Sequence, residues 1–126
     1  MKYLVLIHSN PAVVELFADM SEDERRRAFQ IYWDVESDLE ESGELIDSKA
    51  LDDRTQQTVR RGEDGPIVTD APLPETTEVV TGYYLMDVAD AARAHEIAAR
   101  FPEAAVPGGM RVARVLTQED FDAVGM

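Results

Sequence analysis

The sequence predicts one α+β domain built on a single antiparallel sheet. Two observations carry that prediction. Apolar runs of strand length occur near the start and at 79–87, and helical periodicity between capping signals occurs at 21–43 and 91–101. The 126 residues suit one domain spanning 1–126, long enough to bury a core without disulfides.

Tyr3-Leu4-Val5-Leu6-Ile7 is a continuous apolar run ending at His8. It is too short for the core of a signal peptide and lacks a small-residue cleavage site, so it reads as the first strand. Asn10-Pro11 places a capping side chain before a proline at the first helical position, opening a short helix to about Asp19. Ser21 with Glu24 matches a capping box, and the helix it starts stops at Gly43. Ala28, Ile31, Tyr32, Val35 and Leu39 form its apolar stripe, while Phe29 and Trp33 lie off it. Glu44 to Leu51 reads as a strand, and 55–61 with 66–69 as a hairpin around Gly62 and Gly65. Two prolines exclude 70–77 from any strand interior. Val79 to Asp87 is the strongest strand in the chain. Asp90 caps a helix to about Phe101 with a stripe of Ala91, Ala94, Ala98 and Phe101. Pro107-Gly108-Gly109 turns the chain into a last strand at 110–116, and a helical turn follows from Gln118.

The order β, α, β with a hairpin, β, α, β makes two βαβ-like halves. Such halves give a ferredoxin-like four-stranded antiparallel sheet with its helices on one face. A sheet covered on one side should alternate apolar and polar residues. This one does not. Tyr3, Val5 and Ile7 point one way and Leu4 and Leu6 the other; Val79, Tyr83 and Leu85 oppose Val80, Tyr84 and Met86. Both faces need cover, and a second copy packed sheet against sheet supplies it, so the expected partner is the chain itself in a homodimer.

Composition narrows the function classes. Twelve basic against 26 acidic residues give a net charge of −14, which repels phosphate backbones and argues against nucleic-acid binding. Arg25-Arg26-Arg27 pairs with Glu22 and Asp23 at helical spacing and reads as a solvated face. No apolar run reaches membrane-spanning length. The lack of cysteine fits a cytoplasmic protein and removes thiolate chemistry. Two histidines without HxxxH spacing give no transition-metal site, and no phosphate-binding glycine loop or GxSxG elbow occurs, so neither metal nor cofactor is expected. Seven acids between Asp34 and Asp47 fall mainly on a helix and read as solvated.

The segment Thr69-Asp70-Ala71-Pro72-Leu73-Pro74-Glu75-Thr76-Thr77-Glu78, ahead of a Gly-Tyr-Tyr strand, resembles the signature of the YCII-related proteins, and within them the DGPF branch. The likeness extends along almost the whole chain. It takes in MKYLVLI, Ser42-Gly43-Glu44-Leu45, and the alanine-rich helix ending in Phe101-Pro102. The resemblance implies a dimeric α/β barrel. The chain departs from the signature at Ala71, Leu73 and Thr77, where the branch has glycine, phenylalanine and lysine. Some members of the wider family use a histidine of the long helix with an aspartate as an acid–base pair, and residues 21–43 contain no histidine.

His8, at a strand end, is the best acid–base residue, because imidazole titrates near neutral pH. Asp70 is its expected partner, unless its carboxylate serves only to bind backbone N–H groups of its own turn. Tyr84 is the expected positioning group, and Glu75 and Tyr83 are expected to contact ligand. His95, beside Glu96, reads as exposed. Two readings of function stay open. One is a cofactor-free enzyme of lyase or isomerase type acting on a small molecule; the other is a non-catalytic ligand-binding or regulatory module. A cofactor-independent oxygenase is a third, by fold analogy alone.

Overall fold

A computed structural model of the chain describes residues 1–70 and 78–125. Their order is β1 (Lys2–Ser9), α1 (Pro11–Ala18), α2 (Glu22–Ser42), β2 (Leu45–Ala50), β3 (Gln57–Gly62), β4 (Gly65–Asp70), β5 (Val79–Asp87), α3 (Ala91–Ala98), a 3-10 turn (Pro102–Ala105), β6 (Arg111–Arg114) and α4 (Gln118–Ala123). Four strands pair in the order β2-β5-β1-β6, every neighbour antiparallel. β3 and β4 form a separate two-stranded ribbon. The four-stranded sheet does not close into a barrel among the described residues; β2 and β6 are its edges.

The caps act as their chemistry requires. Asn10 accepts from the Val13 N–H at 2.9 Å and starts α1. Ser21 and Glu24 complete a reciprocal capping box on α2, and Gly43, at φ +79°, ends it in the left-handed conformation that glycine adopts without steric cost. Without a side-chain clash at Gly43, the chain reverses directly into β2. α3 is shorter than its alanine stripe suggests. Phe101 precedes Pro102, and a residue before proline is pushed out of the helical region; Phe101 has ψ 147°.

The core lies between one sheet face and the helices. Tyr3, Val5, Ile7, Tyr84 and Met86 meet Val35 and Leu39 of α2, Ala94, Ile97 and Ala98 of α3, and Phe101. On the other face Leu4, Leu6, Tyr83 and Leu85 are half-buried. The helical layer is not filled evenly along its length. At the end where β1 begins, Leu39, Met86 and Ile97 are fully buried. At the end where β1 finishes, the layer is hollow.

Candidate functional site

A break in strand pairing opens the hollow end. Ile7 lies opposite Gly82, but His8 lies opposite Val80, so the pairing passes over Thr81. Consecutive residues of a regular strand point to opposite faces; here Ile7 and His8 are both buried. Gly82 sits in the same place, facing Ile7. A Cβ on it would come 3.0 Å from the Lys49 carbonyl oxygen, so glycine keeps β2 close and puts no side chain into the space. The result is a cavity of about 710 Å³, within the usual range for small-molecule sites.

α1 contributes Val13, Val14 and Phe17 to its walls, and α2 contributes Phe29, Tyr32, Trp33 and Glu36. The sheet supplies Ile7, His8, Ser48, Lys49, Gly82, Tyr83 and Tyr84, and the 3-10 turn supplies Glu103. Phe17 and Phe29 stack with centroids 5.8 Å apart, and Phe29 lies 6.3 Å from Tyr32. Trp33 is 67% exposed and Phe29 51%, so two of the largest apolar side chains left in water sit on this cavity.

His8 and Glu103 are the buried polar residues of the described chain, and both line this space. The Tyr32 hydroxyl donates to Glu103 Oε2 at 2.5 Å. Glu103 Oε1 and both His8 ring nitrogens are buried with no hydrogen-bond partner among the described residues. Burial raises the Glu103 carboxyl above its ordinary pKa, opposed by the Tyr32 hydrogen bond and by the nearby His8 charge. The Tyr32 phenol is raised by burial and then by Glu103. Tyr84 is pushed up to about 12, first by burial and then by the charges of Glu36 and Glu103. Its hydroxyl donates to the Tyr32 carbonyl oxygen at 3.2 Å, fixing α2 against β5. Both phenols therefore stay protonated at neutral pH, each with a proton to donate. From the strand side, Glu78 Oε1 stands 3.9 Å from His8 Nε2, and the other carboxylate oxygen, Oε2, pairs with Arg111.

An imidazole and a carboxyl of raised pKa sharing one pocket can hold a proton and pass it on. Buried polar atoms left without partners are costly and normally satisfied, so such atoms beside an open cavity mark where a ligand would bind.

The expected site residues separate. His8 and Tyr84 meet in the cavity. Tyr83 reaches its rim but donates its hydroxyl to Asp47 Oδ2 at 2.7 Å, where Lys49 also pairs. Asp70 ends β4 opposite Gln57, is exposed, and does not line the cavity. Glu75 lies outside the described residues. His95 is exposed on α3. Three residues of the site carried no sequence signal used above. Tyr32 was legible only as part of an apolar stripe, although a buried tyrosine hydroxyl needs a partner. Glu36 was one acid among the seven; it accepts from the Ser48 hydroxyl at 2.6 Å. Glu103 directly follows Pro102, and nothing in its local sequence marks it as buried.

Among the described residues no cluster of His, Asp and Glu could hold a metal ion, and no helix is long and apolar enough to cross a membrane. A family model described as the YCII-related domain matches residues 1–119. No curated protein matches the chain.

Proposed function

The chain belongs to the YCII-related domain family, and from that premise we propose a homodimeric protein that transfers a proton on a small molecule without a cofactor, as a lyase or isomerase does. One observation carries the reading: His8 is 3% exposed, both its ring nitrogens are unpartnered among the described residues, and it borders a cavity beside Glu103. In this reading His8 takes or gives the proton at the substrate, and Glu103 replaces Asp70 as its carboxyl partner. Tyr32 orients Glu103, and Tyr84 holds the Tyr32 backbone.

The dimer is part of the proposal. Leu4, Leu6, Tyr83 and Leu85 form a half-buried apolar face opposite the helical core, and a second sheet is its economical cover. The closer likeness to the DGPF branch belongs here too; residues 71–77 of that loop lie outside the described residues. Light scattering is expected to give twice the mass of one chain, and a Leu85→Glu variant half that value. A wild-type monomer at high micromolar concentration would remove the dimer from the proposal.

Turnover is tested in heavy water. Ligands found by screening a metabolite panel are incubated with enzyme, and exchange of carbon-bound hydrogen for deuterium is followed by NMR. Exchange is expected with the wild type and is expected to fall at least about a hundredfold in His8→Asn, the usual scale for an acid–base residue. A second reading, binding without turnover, is favoured by the absence of histidine from α2. Ligands that bind at the cavity yet show no exchange would establish that reading instead.

A further inference from the structure

The charged groups around the cavity are unequal in a way that bears on what enters it. Glu36 and Asp53 both line it, and Glu103 sits deeper. Lys49 is the sole lysine or arginine among the lining residues, and it is already engaged. Its ammonium lies 2.6 Å from Asp47 Oδ1 and donates to the Ser48 carbonyl oxygen at 3.1 Å. His8 is met by Glu78 and by the Glu103 charge. Lys49 is thus occupied by Asp47, and His8, whose ring nitrogens have no hydrogen-bond partner among the described residues, stands among carboxylates. The net charge of −14 adds a field that repels anions before they arrive.

The walls point the same way. Phe17, Phe29, Tyr32 and Trp33 present aromatic rings along one side of the space. Ring faces carry the negative part of the aromatic quadrupole and attract organic cations, tryptophan most strongly. We infer that the cavity takes a small organic cation, an amine or quaternary ammonium on an apolar or aromatic body, with the cationic head among these rings near Glu36. The inference rests on the cavity being the ligand site and adds the class of ligand to it. An alkyl or aryl body fills the apolar wall of Val13, Val14 and Phe29, and a carboxylate in the place of the cationic head would face the Glu36 carboxylate.

Trp33 is the single tryptophan and lines the cavity, so its fluorescence reports on this site alone. Three probes of similar size separate charge from shape: benzyltrimethylammonium, benzyl alcohol and phenylacetate, titrated at low ionic strength. A saturable change in Trp33 emission is expected with the ammonium. Its affinity is expected to exceed that of either other probe by about tenfold or more, which corresponds to roughly 1.4 kcal/mol. Glu36→Gln should reduce ammonium affinity severalfold while leaving benzyl alcohol unchanged, and Phe29→Ala should weaken both. Equal binding of all three probes, or tighter binding of phenylacetate, would overturn the cation preference. So would no saturable binding of any probe to wild-type protein. The proton-transfer reading fails separately, if exchange in heavy water is the same in His8→Asn as in wild type.

Discussion

The two ends of the helical layer are built from the same strands and helices and do opposite things with them. Where β1 begins, Leu39, Met86 and Ile97 fill the layer, and among the described residues no buried polar side chain there lacks a partner. Where β1 ends, the layer encloses a cavity, and it holds His8 and Glu103. Each end also has its own carboxylate. Glu44 sits beside the Arg93 guanidinium, which donates to Oε2 at 3.0 Å and to Oε1 at 2.9 Å. Glu103 receives one hydrogen bond, from Tyr32, and is buried. Hydrogen bonds from Arg93 hold the Glu44 carboxyl below its ordinary range, and burial holds Glu103 above it. One end is arranged for stability and the other tolerates a cost in stability, the usual mark of a functional site.

The largest expected effect tests the packing half of that contrast. Leu39 is fully buried, and Leu39→Ala should cost about 2–5 kcal/mol in urea unfolding through lost burial and a residual cavity. Trp33→Ala removes a larger side chain from the hollow end, yet it should change stability by no more than about 0.5 kcal/mol, because Trp33 is 67% exposed. Comparable losses in the two variants would mean that the hollow end is packed after all.

Glu103 offers the next effect, of opposite sign. Its carboxyl has a raised pKa in the folded state, so the folded protein binds the proton more tightly than the unfolded chain. Stability at this group is therefore intact below the unfolded value of 4.5 and declines as pH rises through the folded value. Glu103→Gln keeps the shape and removes the charge. It should gain about 1 kcal/mol near neutral pH, and little at pH 4, while losing proton transfer. A variant less stable than wild type at pH 7 would show that the ionised carboxylate is well compensated.

The sequence carried the packed end almost completely and the hollow end only in part. Strand and helix boundaries followed from caps and periodicity, as at Asn10, Ser21, Gly43 and Asp90, because those signals are local. The helical face of the sheet was legible as the set Tyr3, Val5, Ile7, Tyr84 and Met86. His8 was recognisable as a strand-end histidine. By strict alternation, however, it belonged with Leu4 and Leu6 on the opposite face. The slip opposite Thr81 that buries it depends on how β1 meets β5, and pairing between strands over seventy residues apart leaves no local trace. Glu103 was hidden for the same reason. Its partner Tyr32 is on another helix, 71 positions away, so nothing near Pro102 distinguishes it from a solvated acid. Asp70 shows the converse, since an acid in a recognisable loop attracted attention, and it ends β4 outside the lining of this cavity.

The smallest expected effect concerns Glu44, where the contrast between the two carboxylates can be drawn most sharply. The carboxyl has a depressed pKa in the folded state, chiefly through its hydrogen bonds from Arg93. Its contribution is therefore complete above the unfolded value of 4.5 and is lost as pH falls through the folded value. Arg93 stays charged throughout, because Glu44 and Glu96 raise its pKa further. The Glu44 side chain is 17% exposed and the Arg93 side chain 37%, so water screens the pair and its worth is about 1 kcal/mol or less. Glu44→Gln should therefore lose up to that amount at pH 7 and approach wild type towards pH 3. Glu103→Gln should move in the other sense, gaining on wild type as pH rises. Measuring both variants by urea unfolding from pH 3.5 to 7.5 gives two difference curves. If both carboxyls behave as described, the Glu103→Gln curve rises with pH and the Glu44→Gln curve falls. Two curves of the same sign would show that the charge environments at the two ends are alike, and the division between a stabilising and a functional end would not stand.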